Sequence, residues 1–338
     1  MKRNRFIDYL KGVAIFIVVW AHGIQYLNKE HHFSENWVYL IIYSLHMPLF
    51  MSISGYVAAF GWKRKEFEAM LRLKFRQLII PILFWAIPMT FILFYNEFLS
   101  REFLPATVLY LRSYIRILPY YLWFLWALFF ISCVTYYIAS KWNDSIHVHL
   151  LIYVLLFLVT DKYGFIYIKY MYPYFIGGYY CNLYWEKLLR YKRAVIYACL
   201  IIFPLLLLFW SSRDLIYENE MSVYSPDVIH AFVIAVKRYL IGFAGVILLI
   251  AGVYNFFYFP TLRFITQLGI FSLGIYILQT FFYAILDIYI SPYSVNVYLY
   301  TFIYTFLSTI LMTLIAIFLT RQISKIPLVG KALFGGRY

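Results

Sequence analysis

Read from its start, the chain alternates long apolar runs with short polar and basic stretches. Ten runs approach the roughly 20 residues a helix needs to cross a bilayer. They cover about 10–27, 37–60, 78–95, 118–139, 147–160, 164–185, 194–210, 239–258, 269–290 and 297–319. Within each run the apolar residues are continuous rather than alternating, which argues against the strands of an outer-membrane barrel. The pattern predicts an all-α, polytopic transmembrane helical bundle of about ten spans. The run at 147–160 is short, and the run at 239–258 begins just after Lys237 and Arg238. No internal repeat or low-complexity linker stands out. Residues 1–338 read as one integral-membrane domain with no appended soluble domain. The basic N-terminus leads into an apolar run without a small-residue cut site, so no cleavable signal peptide is expected.

Composition removes the competing classes. The chain is 64% hydrophobic and 13% charged, against roughly 45–50% and about 25% in a soluble domain. A soluble fold would have to expose large apolar patches, and disorder needs the opposite composition. The 36 Tyr and 33 Phe suit a lipid interface. A net charge of +14 would suggest nucleic acid in a soluble protein. Here the basic residues cluster between apolar runs, so they read as orientation signals and no nucleic-acid partner is expected. With the N-terminus in the cytoplasm, 20 of the 29 Lys and Arg fall on the cytoplasmic side. They include Lys2, Arg3, Lys63, Arg64, Lys65 and Arg337. Most acids fall outside, among them Glu30, Glu35, Glu102, Asp161, Asp214 and Asp287. An even span count with both termini cytoplasmic fits, and the inner membrane is the expected location. Cys133, Cys181 and Cys199 lie in apolar runs without ligand spacing and read as small hydrophobes. His31 and His32, beside Glu30 and Glu35, give little support for a metal site, and none is expected.

Ionisable groups at membrane depth are costly and usually functional. The first span holds Asp8, Lys11 and His22, which share one helical stripe. Lys11 and His22 stand about three turns apart, roughly 16 Å along the axis, while Asp8 and Lys11 are i,i+3 neighbours able to pair. His22 reads either as a buried histidine bonded to a neighbouring helix or as a general base in a polar cavity. Asp8 and Lys11 read either as snorkelling groups or as a charged mouth.

The second span carries His46, then Pro48, Ser52, Ser54 and Gly55. Pro48 frees a backbone carbonyl, and Ser54-Gly55 permits close helix approach. Residues 61–77 form a basic amphipathic stretch fitting a helix on the cytoplasmic surface. It serves either as an anchor or as a binding site for the phosphates of a nucleotide-like donor. Gln279 lies in the ninth span, where an amide orients a substrate or joins helices. There is no P-loop, GxGxxG before a helix, GxSxG or HExxH.

Five segments in order resemble the bacterial membrane acyltransferase-3 family. They are Asp8-Tyr-Leu-Lys-Gly-Val-Ala-Ile-Phe-Ile-Val-Val-Trp-Ala-His22, Leu45-His-Met-Pro-Leu-Phe-Met-Ser-Ile-Ser-Gly-Tyr56, Lys74-Phe-Arg-Gln-Leu-Ile-Ile-Pro81, Leu122-Trp-Phe-Leu125 and Leu268-Gly-Ile-Phe-Ser-Leu-Gly-Ile-Tyr276. The resemblance implies transfer of an acyl group, most often acetyl from acetyl-CoA, to carbohydrate hydroxyls of envelope glycans, glycolipids or secreted metabolites. It implies acyl-CoA as a donor substrate, no permanently bound cofactor, and surrounding membrane lipids as partners. The family signature is Arg, ten residues, then His. His22 matches the His, and Lys11 stands at the Arg, keeping the charge without the planar fork. By this resemblance His22 is the catalytic residue, as base or as covalent acyl relay. His46 would orient the acceptor or donate to the oxyanion. Lys11, Lys74 and Arg76 would hold the donor, and Asp8, Ser54, Trp123 and Gln279 would line the substrate site. Gln279 stands where many relatives have a histidine and is assigned no catalytic role. The rival expectation is a non-enzymatic exporter or flippase of a glycan.

Overall fold

The computed structural model describes residues 4–28, 32–62, 66–99, 103–256, 263–291 and 293–336. Lys2, Arg3, Glu30, His31, Lys63, Arg64, Lys65, Glu102 and Arg337 lie outside the described residues. Each of the ten apolar runs overlaps a helix within the described residues, among which no strand occurs. In chain order the helices are α1 (Arg5–Tyr26), α2 (Trp37–Trp62), α3 (Phe67–Lys74), α4 (Ile80–Leu99), α5 (Phe103–Tyr121), α6 (Trp123–Lys141), α7 (Ile146–Leu156) and α8 (Phe165–Leu183). They continue with α9 (Trp185–Arg190), α10 (Lys192–Leu207), α11 (Val228–Phe256), α12 (Arg263–Ile270), α13 (Ser272–Tyr289), α14 (Val297–Leu299), α15 (Thr305–Ser324) and α16 (Pro327–Phe334).

Among the described residues, seven stretches are long and apolar enough to cross a bilayer: α1, α2, Phe67–Tyr95, α6, α11, α13 and Val297–Ser324. The chain is a multi-pass membrane protein. The other three runs form α7, α8 and α10, of 11, 19 and 16 residues. Helix α8 is less apolar than a lipid-facing span because most of it faces protein. Its buried Lys169 donates to Asp161 Oδ1 at 2.6 Å and to the Val159 and Met221 carbonyls.

The polar stretch 61–77 differs from the expected surface helix. From Phe67 onward it runs without a break into α4, through a π-helical turn at Phe75–Ile79 in which Ile80 N–H donates to Phe75 O. The next residue, Pro81, has no N–H to continue the α ladder, and a π-bulge accommodates such an interruption within one helix. Helix α5 was not among the expected runs, because Arg112 and Arg116 interrupt its apolar sequence. It packs antiparallel to α4, with Tyr110 Oη donating to Ile87 O and Tyr114 Oη to Leu83 O, both at 3.0 Å. Helix α11 begins well before the expected boundary at 239. Its two intervening cations are accommodated internally: Lys237 pairs with Asp214, and Arg238 lies over the Tyr170 ring.

Two small-residue crossings set the closest helix pairs. A Cβ on Gly55 would lie 1.9 Å from Phe175 O, and one on Gly178 would lie 1.9 Å from Ser52 O, so α2 and α8 meet backbone to backbone. These two helices run in the same direction. Tyr43 and Tyr170 both face Arg238 near one end, and the Tyr56 ring packs on Trp185 at the other. Gly12 and Gly269 do the same for α1 and α12.

Candidate active site

The stripe on α1 organises the site. Lys11, Ile15 and Val18 line a cavity of about 650 Å³, with Asp8 beside them. Helix α2 adds Met47, Phe50 and Ser54, and the α3–α4 helix adds Met70, Lys74 and Gln77. Phe124 and Leu125 come from α6, and Ser272 and Tyr276 from α13. The mouth carries Asp8, Lys11, Lys74 and Gln77, while the deep end is apolar and aromatic. Ser54 Oγ donates to Phe50 O at 2.8 Å, which turns its lone pairs outward. The π-turn lets Lys74 and Gln77 reach the cavity while Arg76, between them, is exposed and does not line it. The C-terminal segment closes one side. Trp85 Nε1–H donates to Leu333 O at 3.1 Å, and Gly336 lines the mouth.

His22 stands four residues, about 6 Å, beyond Val18. Its Nδ1 lies 2.7 Å from Gln279 Oε1. The orientation of the amide is fixed by its surroundings. Gln279 Nε2 lies 3.1 Å from Tyr276 O and 2.8 Å from Thr280 Oγ1, and Thr280 Oγ1 donates onward to Tyr276 O. A carbonyl only accepts, so the atom facing it is the NH₂ and the atom facing His22 is the oxygen. A neutral His22 therefore carries its proton on Nδ1 and presents Nε2 as a lone pair. No described residue hydrogen-bonds Nε2, and His22 is only partly buried.

His46 is buried, and its Nδ1 lies 2.7 Å from Ile42 O. That carbonyl takes the Nδ1 proton, so a neutral His46 also presents an accepting Nε2. Its ring lies 5.8 Å from that of Tyr43. Beyond the histidines is a shell of tyrosines. Tyr26 packs edge-on to His22 at 5.8 Å and stacks with Tyr283 at 6.3 Å. Tyr39 and Tyr217 share a hydrogen bond of 2.8 Å, and Tyr43 Oη accepts from Ile216 N–H.

Among the expected site residues, Asp8, Lys11, Ser54 and Lys74 come together in the cavity, and His22 with Gln279 forms a second group above it. Trp123 does not line the cavity. It stacks on Tyr167 at 4.6 Å, and its neighbours Phe124 and Leu125 face the space instead. Sequence reasoning missed Gln77, Ser272 and Tyr276 as lining residues. Gln77 follows Arg76 in a quoted segment, but only the π-turn decides which of the two points inward. No group of three His, Cys, Asp or Glu among the described residues is placed to hold a metal ion.

A family profile described as "Acyltransferase domain" (acyltransferase 3) matches residues 4–321. The Nodulation protein NolL of Sinorhizobium fredii is 28% identical over 253 residues, covering 70% of this chain and 64% of that protein. The Nodulation protein NolL of Mesorhizobium japonicum is 30% identical over 147 residues, covering 42% of this chain and 37% of that protein. The chain thus spans less than two thirds of the length of the curated relatives it matches. No solved structure matches it significantly. The profile takes in α1 through nearly all of α15, and therefore every residue of the cavity except Gly336 and both members of the His22–Gln279 pair; this chain belongs to the acyltransferase-3 family.

Proposed function

We propose that this chain is an integral-membrane O-acyltransferase of the cytoplasmic (inner) membrane. It moves an acyl group, acetyl first among candidates, from acyl-CoA to a hydroxyl of a carbohydrate or glycolipid acceptor. The observation that carries this reading is the oriented His22, with a free Nε2, one turn above a cavity with a basic mouth. A general base needs this arrangement: a lone pair toward the substrate and a partner holding the other nitrogen.

In this account Lys11 and Lys74 attract the phosphates of the donor, with Arg76 adding to the field outside the mouth. Asp8 sets the position of Lys11, and the thioester end extends along Ile15, Val18, Phe124 and Tyr276 toward His22. The acceptor approaches from the tyrosine-lined side. His22 Nε2 takes the proton of the acceptor hydroxyl, whose oxygen attacks the thioester carbonyl. The ester forms, the C–S bond breaks, and the proton passes to the departing thiolate. Gln279 keeps His22 in the correct tautomer. His46, with Nδ1–H held by Ile42 O, accepts from an acceptor hydroxyl and orients it. Ser54 provides lone pairs for the donor's amides.

The same reading takes ten crossings with both termini cytoplasmic: α1, α2, α3–α4, α5–α6, α7, α8, α10, α11, α12–α13 and α15. The parallel α2 and α8 support it, since an even number of steps separates them. So does the excess of basic residues on the side of the cavity mouth.

The test uses membranes carrying the full chain and labelled acetyl-CoA, with base-labile acetyl on carbohydrate as readout. Transfer that depends on both the protein and the donor is the expected result. Glycan movement across the membrane without acetyl-CoA, and with no acetyl transferred, would instead establish the exporter reading.

A further inference from the structure

Two consecutive cations on α11 have opposite fates. Lys237 pairs with Asp214 and donates to Phe209 O. Arg238 is 1% exposed, and its Nε, Nη1 and Nη2 are all buried, with no hydrogen bond of regular geometry among the described residues and only the Tyr170 side chain interacting with the fork. Its guanidinium lies 4.2 Å from the centre of the Tyr170 ring, and Tyr43 and Tyr174 are within electrostatic reach. Tyr174 Oη does not serve the guanidinium, because it donates to the Arg238 carbonyl at 2.8 Å. Tyr170 Oη is buried too, makes no hydrogen bond of regular geometry, and interacts with the guanidinium and with Tyr174. The outer acids that might have compensated are engaged elsewhere, Asp214 by Lys237 and Asp161 by Lys169.

A guanidinium has five N–H donors in its plane. A ring face satisfies the flat side of the cation and none of those donors. A buried, unpaired charge is strongly unfavourable, so this arrangement is poor as structure and suitable as a receptor. Its position fits a receptor for the acceptor. Tyr43, which faces Arg238, packs on His46, and the tyrosine shell continues to Tyr26 against His22. Over it lies the segment containing Ile216 and Tyr217, tied to α2 by the Ile216–Tyr43 and Tyr217–Tyr39 hydrogen bonds.

We propose that Arg238 is an oxyanion-binding site that receives the carboxylate or phosphate of an acidic carbohydrate acceptor. The anion takes the fork of the guanidinium, Tyr170 Oη donates to it, and the sugar lies along the tyrosines toward His22. That the anion arrives on an acceptor rests on the acyltransferase reading; the site itself does not.

The purified full chain in detergent tests this through its thermal unfolding midpoint. The probes are sodium glucuronate, inorganic phosphate, neutral glucose and sodium chloride at matched ionic strength. Glucuronate or phosphate should raise the midpoint of the wild type by a few degrees, and glucose and chloride should not. The shift should vanish in Arg238→Met and shrink in Arg238→Lys, which keeps the charge and loses the fork. The lysine variant keeps the test decisive if the methionine variant does not fold. A response to glucuronate alone assigns a sugar carboxylate, and a response to phosphate alone assigns a sugar phosphate. No shift with either anion in the wild type, or an undiminished shift in the variants, overturns the proposal. A wild type that transfers acetyl yet shows no anion shift refutes this inference alone. A wild type that shows the Arg238-dependent shift but transfers nothing refutes the function and leaves the site.

Discussion

His22 and Gln279 meet across 257 positions of sequence, and the contact decides which nitrogen of the histidine is available. Replacing Gln279 with leucine removes the acceptor for Nδ1–H, and the ring is then free to rotate or change tautomer. We expect Gln279→Leu to lower kcat by about 10-fold or more, less than the roughly 10²–10⁴-fold a general base provides. The KM for acetyl-CoA should stay unchanged. Gln279→Glu keeps an acceptor facing Nδ1 and should stay closer to wild type. Steady-state kinetics on the purified protein separates these outcomes, and equal kcat in all three would remove the orienting role. In the proposed mechanism Lys11 acts on the donor instead. A charged hydrogen bond contributes about 1.5–3 kcal/mol, so Lys11→Ala should raise the KM for acetyl-CoA roughly tenfold or more with little change in kcat. A loss confined to kcat would place Lys11 outside the donor site. His22 and Lys11 were legible in the sequence because a polar group on an apolar helix stands out. The role of Gln279 was not, since an amide in a span is equally suited to joining helices. Only its occupied NH₂ group shows where the oxygen points.

Helix α2 rests against α8 at positions without side chains. A methyl at Gly55 has no room, because Phe175 O lies 1.9 Å from where it would stand. Gly55→Ala should cost about 1–3 kcal/mol through overpacking and lower the unfolding midpoint in detergent. Gly252, on α11, has nothing within 4 Å of its Cβ position. Gly252→Ala should leave the midpoint unchanged or raise it, since alanine gains up to about 1 kcal/mol over glycine inside a helix. Equal effects at the two sites would contradict the packing described for α2 and α8. Elements of uniform apolar character, such as α2 and α4, could be read from the sequence to within a few residues. Those carrying internal cations could not. Arg112 and Arg116 concealed α5, and Lys237 and Arg238 shortened the apparent span of α11, because hydropathy scores a cation by its type and not by its partner. The continuous passage from α3 into α4 was missed for a related reason. Its basic first turns read as surface, while the π-turn that carries them into the bundle has no distinct sequence signal.

At the scale of the whole molecule, the proposed mechanism places donor and acceptor apart, the donor in a basic-mouthed cavity and the acceptor in a tyrosine-lined region, with His22 between them. This predicts opposite accessibility. In a chain with Cys133, Cys181 and Cys199 replaced by serine, Lys74→Cys should react with a membrane-impermeant maleimide from the cytoplasmic side. Tyr217→Cys should react from the outer side. Labelling of both from one side would contradict the proposed ten-crossing topology. The existence of a membrane bundle was plain from composition, whereas the cavity was not. It is assembled from α1, α2, the α3–α4 helix, α6, α12, α13 and the C-terminal Gly336, and no local pattern records which faces of these distant segments converge.

The central claim is that His22 performs acyl transfer, and the most direct measurement compares wild type with His22→Ala in the source cell. Base-labile acetyl on the envelope carbohydrate is quantified at equal levels of folded protein. The account predicts acetyl with the wild type and a loss of about 10²-fold or more with the variant. Wild-type acetylation in the variant would contradict it.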